Sequence, residues 1–290
     1  MAMLSLVGLV ILVGLVILVG LGGLLVLGWR AHARDNAESR AVWDRLEQLR
    51  DGDPPQYDPT MVAGLPEVAQ RYFARAIAPG TALHRVVRLE MAGRFVLNGK
   101  AMPMTARQIL APPERGFVWR ANIGKGVLSF SGSDGYEVTP GQRGRSWTKF
   151  WLAGLLPVAR MGGTRDHARA AATRAALESV WVPAALLPQA GAAWVQTGPD
   201  SADVRFATTP DLPPIHLKID PAGDLTEVWA LRWSDANATK TYRLQPFGGK
   251  ILATGRFDGF RIPVEVEMGN HYGTAHYAPF FHASVSQAAY

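Results

Sequence analysis

Residues 87–97 read Val-Arg-Leu-Glu-Met-Ala-Gly-Arg-Phe-Val-Leu, and their alternation sets how the rest of the chain is read. Val87, Leu89, Met91, Gly93, Phe95 and Leu97 fall on one side of a period of two, with Arg88, Glu90 and Arg94 between them. Successive side chains of a strand point to opposite faces, so the pattern predicts a strand with one face buried and one wet. The period returns in Ile215, Leu217 and Ile219 against His216 and Lys218, and in Ile262, Val264, Val266 and Met268 against Glu265 and Glu267. Further strands are expected near residues 103–111, 115–121, 126–138, 193–198, 203–208, 225–234, 239–247, 250–258 and 279–287. Turn signals join several of them: SDG at 133–135, PAGD at 221–224, SDANA at 234–238 and FGGK at 247–250. Short connections imply an antiparallel meander, because parallel pairing needs long crossovers.

Two stretches interrupt the strands and read as helices, SWTKFWLAGLLPVAR at 146–160 with its serine and TRDHARAAATRAALESVWVP at 164–183. In the first, Trp147, Phe150, Trp151 and Leu155 share one helical face with Lys149 off it. That stripe predicts a core-facing helix or, with Arg145, Lys149 and Arg160 meeting phosphate headgroups, an element at a membrane surface. A third helix is expected in LPEVAQRYFARAI, residues 65–77, where Pro66 occupies the first turn and its missing N–H does no harm. A sheet with one apolar face needs a cover, and helices supply it. The expected fold class is therefore mainly β (α+β): a strongly curved antiparallel meander sheet with helices on its concave face, preceded by an N-terminal transmembrane helix.

That first helix rests on the repeat LVGLVILVGLVILVG, residues 6–20, inside a run with no charged side chain before Arg30. A bilayer core takes about 20 helical residues, so the run is long enough to span it. A secretory signal would show a basic start and a shorter apolar core, although Ala31-His32-Ala33 resembles a cleavage site. A retained anchor is the expectation. Gly8, Gly14 and Gly20 are spaced six apart, which turns each about 240° from the last, so they line no common face for a partner helix. Arg30, Arg34, Arg40 and Arg45 follow the span, and the positive-inside rule alone would put the main domain in the cytoplasm. A single span with a long C-terminal domain tests that rule weakly, so the side stays open. The domain reading is residues 1–29 as transmembrane helix, 30–58 as a juxtamembrane helix (35–50) and Pro-rich linker at DGDPPQYDP, and 59–290 as the β domain.

With 30 Lys and Arg against 24 Asp and Glu the net charge is +6, but the arginines are scattered and no nucleic-acid-binding motif accompanies them. Attraction to anionic lipid headgroups accounts for the balance. The absence of cysteine excludes disulfides, thiolate metal sites and cysteine nucleophiles. No phosphate-binding loop, zinc-protease helix or nucleophile elbow is found. Asp134 in GSDG reads as a turn residue rather than an acid. His271, His276 and His282 cluster in sequence, but an odd separation on a strand would split 271 from 276, so no metal site and no cofactor are implied. Arg174 and Glu178 are four apart and share a helical face, which predicts a structural ion pair or, if the carboxyl lines a pocket, a buried acid.

Five fragments together resemble a family of uncharacterised bacterial proteins defined only as a domain of unknown function: LPEVAQRYFARAI, GFVWRA (116–121), SGSDGYEV (131–138), LESVWVPAALLP (177–188) ahead of a strand carrying Trp194, and FDGFRIPVEVE (257–267). The resemblance carries no catalytic residues. The architecture is similar to the curved antiparallel sheets of the bacterial lipoprotein-carrier group, which hold acyl chains on a helix-covered concave face. The expectation is a membrane-anchored, non-enzymatic domain that binds an acyl chain or another apolar ligand, with Trp119, Trp151, Trp181, Trp229 and Trp233 lining the site. Its partners would be the lipid bilayer and that ligand. The alternatives are a module docking an envelope protein, and a hydrolase using Glu178 with a nearby His or Asp.

Overall fold

The computed structural model describes residues 2–50, 52–139 and 141–290. Helix α1 (Ala2–Glu47) runs unbroken from the apolar repeat into the polar segment, so the expected juxtamembrane helix is its C-terminal end. No Gly or Pro follows Gly28 before Glu47, and nothing in that stretch stops the helix. Among the described residues α1 is the one helix long and apolar enough to cross a membrane, and its apolar window is buried against nothing in the chain.

Among the described residues thirteen strands form one antiparallel sheet. They are β1 (Val87–Leu97), β2 (Lys100–Ala111), β3 (Gly116–Ile123), β4 (Phe130–Glu137), β5 (Arg145–Leu152), β6 (Leu156–Gly162), β7 (Ala192–Gly198), β8 (Ser201–Phe206), β9 (Ile215–Ile219), β10 (Leu225–Ser234), β11 (Arg243–Phe257), β12 (Phe260–Asn270) and β13 (Ala278–Ala289). The spatial order is β6-β5-β4-β3-β2-β1-β13-β12-β11-β10-β9-β8-β7. Two meanders thus meet at a seam where β1 pairs with the last strand. Helix α2 (Glu67–Ala76) precedes the first meander, and α3 (Arg165–Leu177) joins the two, running on into 3₁₀ turns at Glu178–Trp181 and Pro183–Leu186. Helix α3 touches β4 and β5 from one meander and β10 from the other, which requires the sheet to wrap around it.

The main core lies inside that wrap. Phe73 of α2, Leu89, Leu110, Phe117, Phe260, Ile262 and Leu186 are buried there. Removing each such side chain from water contributes about 1.5–3 kcal/mol. A second, smaller core lies on the outer face, where Val42 and Leu46 of α1 pack on Ile109, Val118 and Trp147.

Two expectations from the sequence are corrected. Residues 146–160 are not a helix but the hairpin β5–β6. Trp147, Lys149 and Trp151 face α1, while Thr148, Phe150 and Leu152 face the inside. Because both faces of β5 are covered, apolar side chains occupy both, and that density mimics a helical stripe. The SDG and FGGK signals lie within β4 and β11 rather than between strands, so 239–247 and 250–258 merge into one strand. Gly135 is glycine because the Trp147 ring occupies the place of a Cβ. Pro263 pairs with Thr254 beside a bulge in β12, where Val264 has no partner between the pairs Ala253–Glu265 and Thr254–Pro263.

Candidate functional site

The inner face of the sheet does not fill completely. A cavity of about 600 Å³ lies between α3 and the strands. Its wall is mostly apolar, with Phe95, Ile123, Phe150, Met268 and Phe281 among the side chains that line it. This size and lining are those of a small-molecule site. Leu97, Leu128, Val158 and Met161 also line it and are 43–72% exposed, so they mark the mouth.

Polar groups gather at the opposite end, under α3. Arg174 Nε donates to Glu178 Oε1 at 2.7 Å and Nη1 to Asp134 Oδ2 at 2.5 Å. Gln108 Nε2 donates to Glu178 Oε2 at 2.7 Å, and Thr148 Oγ1 to Asp134 Oδ1 at 2.7 Å. The Arg174 guanidinium also lies 4.3 Å from the Phe117 ring centroid. Burial pushes the Glu178 carboxyl above its ordinary value of 4.5, and the bonds from Arg174 and Gln108 only partly offset it. Each of the four carboxylate oxygens accepts one of these bonds. Among the described residues Glu178 is bonded by Gln108 and Arg174 and by no histidine. His167 instead bonds Ser146 Oγ at 2.7 Å and reaches Thr148 Oγ1 at 3.2 Å. Ser146 and His167 border a separate cleft beside Asp35 and Tyr242 and do not line this cavity.

Of the five tryptophans, Trp119 and Trp181 line the cavity. Trp151 is on the outer face, with its Nε1 donating to Asp35 Oδ2 of α1 at 3.0 Å. Trp229 lies stacked on His216, ring centroids 3.8 Å apart, and Trp233 donates to Asp166 Oδ1 at the start of α3. Neither is among the residues lining the cavity. Asp134, read as a turn, is a wall residue in mid-strand. His271 Nε2 donates to Ala236 O, His282 lies near Glu267, and among the described residues no three potential ligands converge on a metal position. The sequence reading missed Arg232, Gln108, Phe95 and Phe281. A signal for Arg232 existed: it continues the core-facing series Val228, Ala230 of β10, an unusual place for an arginine.

The mouth adjoins α1. The β5–β6 turn rests on the helix so closely that a Cβ at Gly28 would lie 2.5 Å from Leu155 O, and Gly154 lies against His32. One helical turn on, buried Asp35 bonds Lys149 Nζ at 3.0 Å and also Arg160. Burial would raise the Asp35 carboxyl, but these cations and Trp151 outweigh it and hold it below its ordinary value. The Ala153 N–H donates to Ser129 O, which ties the Leu128 loop to the same turn.

Fold and cavity together define a curved-sheet protein with a helix-covered apolar pocket. Residues 55–283 match a family described as a family of unknown function (DUF6544), and the chain belongs to that family. No curated protein matches it. Among solved structures it is similar to a domain assigned to outer membrane lipoprotein sorting from Vibrio parahaemolyticus, with 9% identity over 77% of this chain and 90% of that one, at a TM-score of 0.40. It is also similar to a LolA superfamily protein from Nitrosomonas europaea, with 8% identity over 76% and 90% of the two chains and a TM-score of 0.35. A DUF1329 family protein from Desulfovibrio piger shares 12% identity over 71% and 85%, also with a TM-score of 0.35.

Proposed function

We infer that this protein is a membrane-anchored, non-enzymatic domain of the bacterial cell membrane that holds an acyl chain or another apolar chain inside its curved sheet. The observation that carries the reading is the cavity of about 600 Å³, apolar in lining, with its mouth beside the end of the apolar helix. An empty space of this kind forfeits packing energy, and a chain entering it restores the lost contacts. With α1 spanning the bilayer, the first charged residue Arg30 marks the interface, and the β5–β6 turn at Gly28 lies at that level. Leu128, Leu156, Val158 and Met161, all exposed, then meet the headgroup region, so a chain can pass from bilayer to cavity without crossing water.

The test uses the full chain in phosphatidylcholine nanodiscs containing diazirine-labelled hexadecanol. Crosslinks on Phe95, Phe150 and Phe281 are expected. Crosslinks confined to α1 and the exposed rim would refute the reading.

A further inference from the structure

Among the described residues the inner wall carries a cation, Arg232, that no carboxylate contacts directly. Arg232 projects from the core face of β10, donates its Nε to Ala170 O at 3.1 Å, and lies 4.7 Å from the Phe247 ring centroid. Among the described residues no carboxylate pairs with it, and its cross-strand neighbour is the neutral Gln245. The two acids of the same wall spend all four oxygens on Arg174, Thr148 and Gln108. A further donor on the lining also lacks an acceptor, the buried Nε1 of Trp119. The wall is therefore short of acceptors. Burial and the neighbouring Arg174 pull the Arg232 guanidinium below its ordinary value, and the more distant Asp134 and Glu178 only partly oppose this. Buried charges of this kind are stabilised by a partner of opposite sign.

We propose that the occupant of the cavity is a single-chain amphiphile ending in an anionic oxygen group, a carboxylate or a phosphate monoester, and that Arg232 receives that group. The proposal rests on the reading of the cavity as a site for an apolar chain and adds the chemistry of the chain's end. The path fits such a ligand. From Phe130 near the mouth to Asp134 under α3 is four strand residues, about 13 Å, apolar at the start and polar at the finish. The charged end lies inward against Arg232, whose planar fork suits both a carboxylate and a phosphate. The hydrocarbon points outward past Trp119 and Phe150 to the exposed rim. Glu178 beside Arg174 leaves room for this charge, since its raised carboxyl can take up a proton when an anion arrives.

The experiment compares three diazirine probes of equal chain length at equal mole fraction in nanodiscs holding the full chain: palmitic acid, hexadecyl phosphate and hexadecanol. Crosslinking to cavity peptides by an anionic probe should exceed that by hexadecanol about tenfold or more, the effect of one charge-assisted bond. The stronger of the two anionic probes identifies the source of the group. Arg232→Met should abolish the excess and keep hexadecanol labelling, while Arg232→Lys should retain part of it. Equal labelling by all three probes in the unmodified protein overturns the proposal, as does an excess that survives Arg232→Met. If Arg232→Met does not fold, the unmodified protein and Arg232→Lys decide the matter. A failure of hexadecanol as well as the anions would refute the apolar-chain reading itself, and so is distinct from a failure of the anionic end alone.

Discussion

Arg174 holds two carboxylates at once, and each also takes a neutral donor, so four side chains from β2, β4, β5 and the 3₁₀ turn after α3 are tied to one guanidinium. Half of this was legible. The spacing of Arg174 and Glu178 predicts their contact on a helix. Asp134 and Gln108 were not, because they belong to strands whose faces only the closed sheet brings under α3, and GSDG carries a stronger turn signal than strand signal. Arg174→Met should cost about 3–5 kcal/mol, the penalty for leaving buried charge unpaired. The cost should grow with pH. A carboxyl whose folded-state pKa is raised favours the fold below its unfolded value of 4.5 and loses that contribution as pH climbs through the folded value. Urea titrations over a pH series check this; a loss independent of pH would mean that Glu178 is not the group left bare.

The element that most departs from its sequence reading is the β5–β6 hairpin. A strand covered on both faces has no polar side, and the period of two that betrays β1 is lost in it. Among the described residues its outer strand β6 pairs with β5 alone, and α1 meets the hairpin at Gly28 and through the ion pairs of Asp35 with Lys149 and Arg160. Gly28→Leu pushes a side chain into the Leu155 carbonyl and should separate the hairpin from the helix, at about 1–3 kcal/mol. Hydrogen exchange should quicken in Leu156–Gly162 and stay unchanged in β10. Unchanged exchange in β6 would show that the helix contact does not hold the hairpin.

Across the whole molecule, the wrap of the sheet around α3 leaves the space that no single element encloses. Val228 lines that space and is otherwise buried. Val228→Phe should therefore fill cavity rather than crowd a packed core, and cost less than the ~1–3 kcal/mol of overpacking. Hexadecanol labelling of the cavity should fall while thermal unfolding stays near that of the unmodified protein. Undiminished labelling would place the chain elsewhere.

The sequence by itself determined the class of fold, since alternation, short turns and an uncharged apolar run are local and survive in a one-dimensional record. It also determined the helix pair Arg174–Glu178, whose partners are four residues apart. Only the tertiary structure decided which tryptophans face inward, which acids share Arg174, and that Arg232 lacks one. Those outcomes depend on which face of a strand the curved sheet turns toward α3, and on contacts between residues as distant as Gln108 and Glu178.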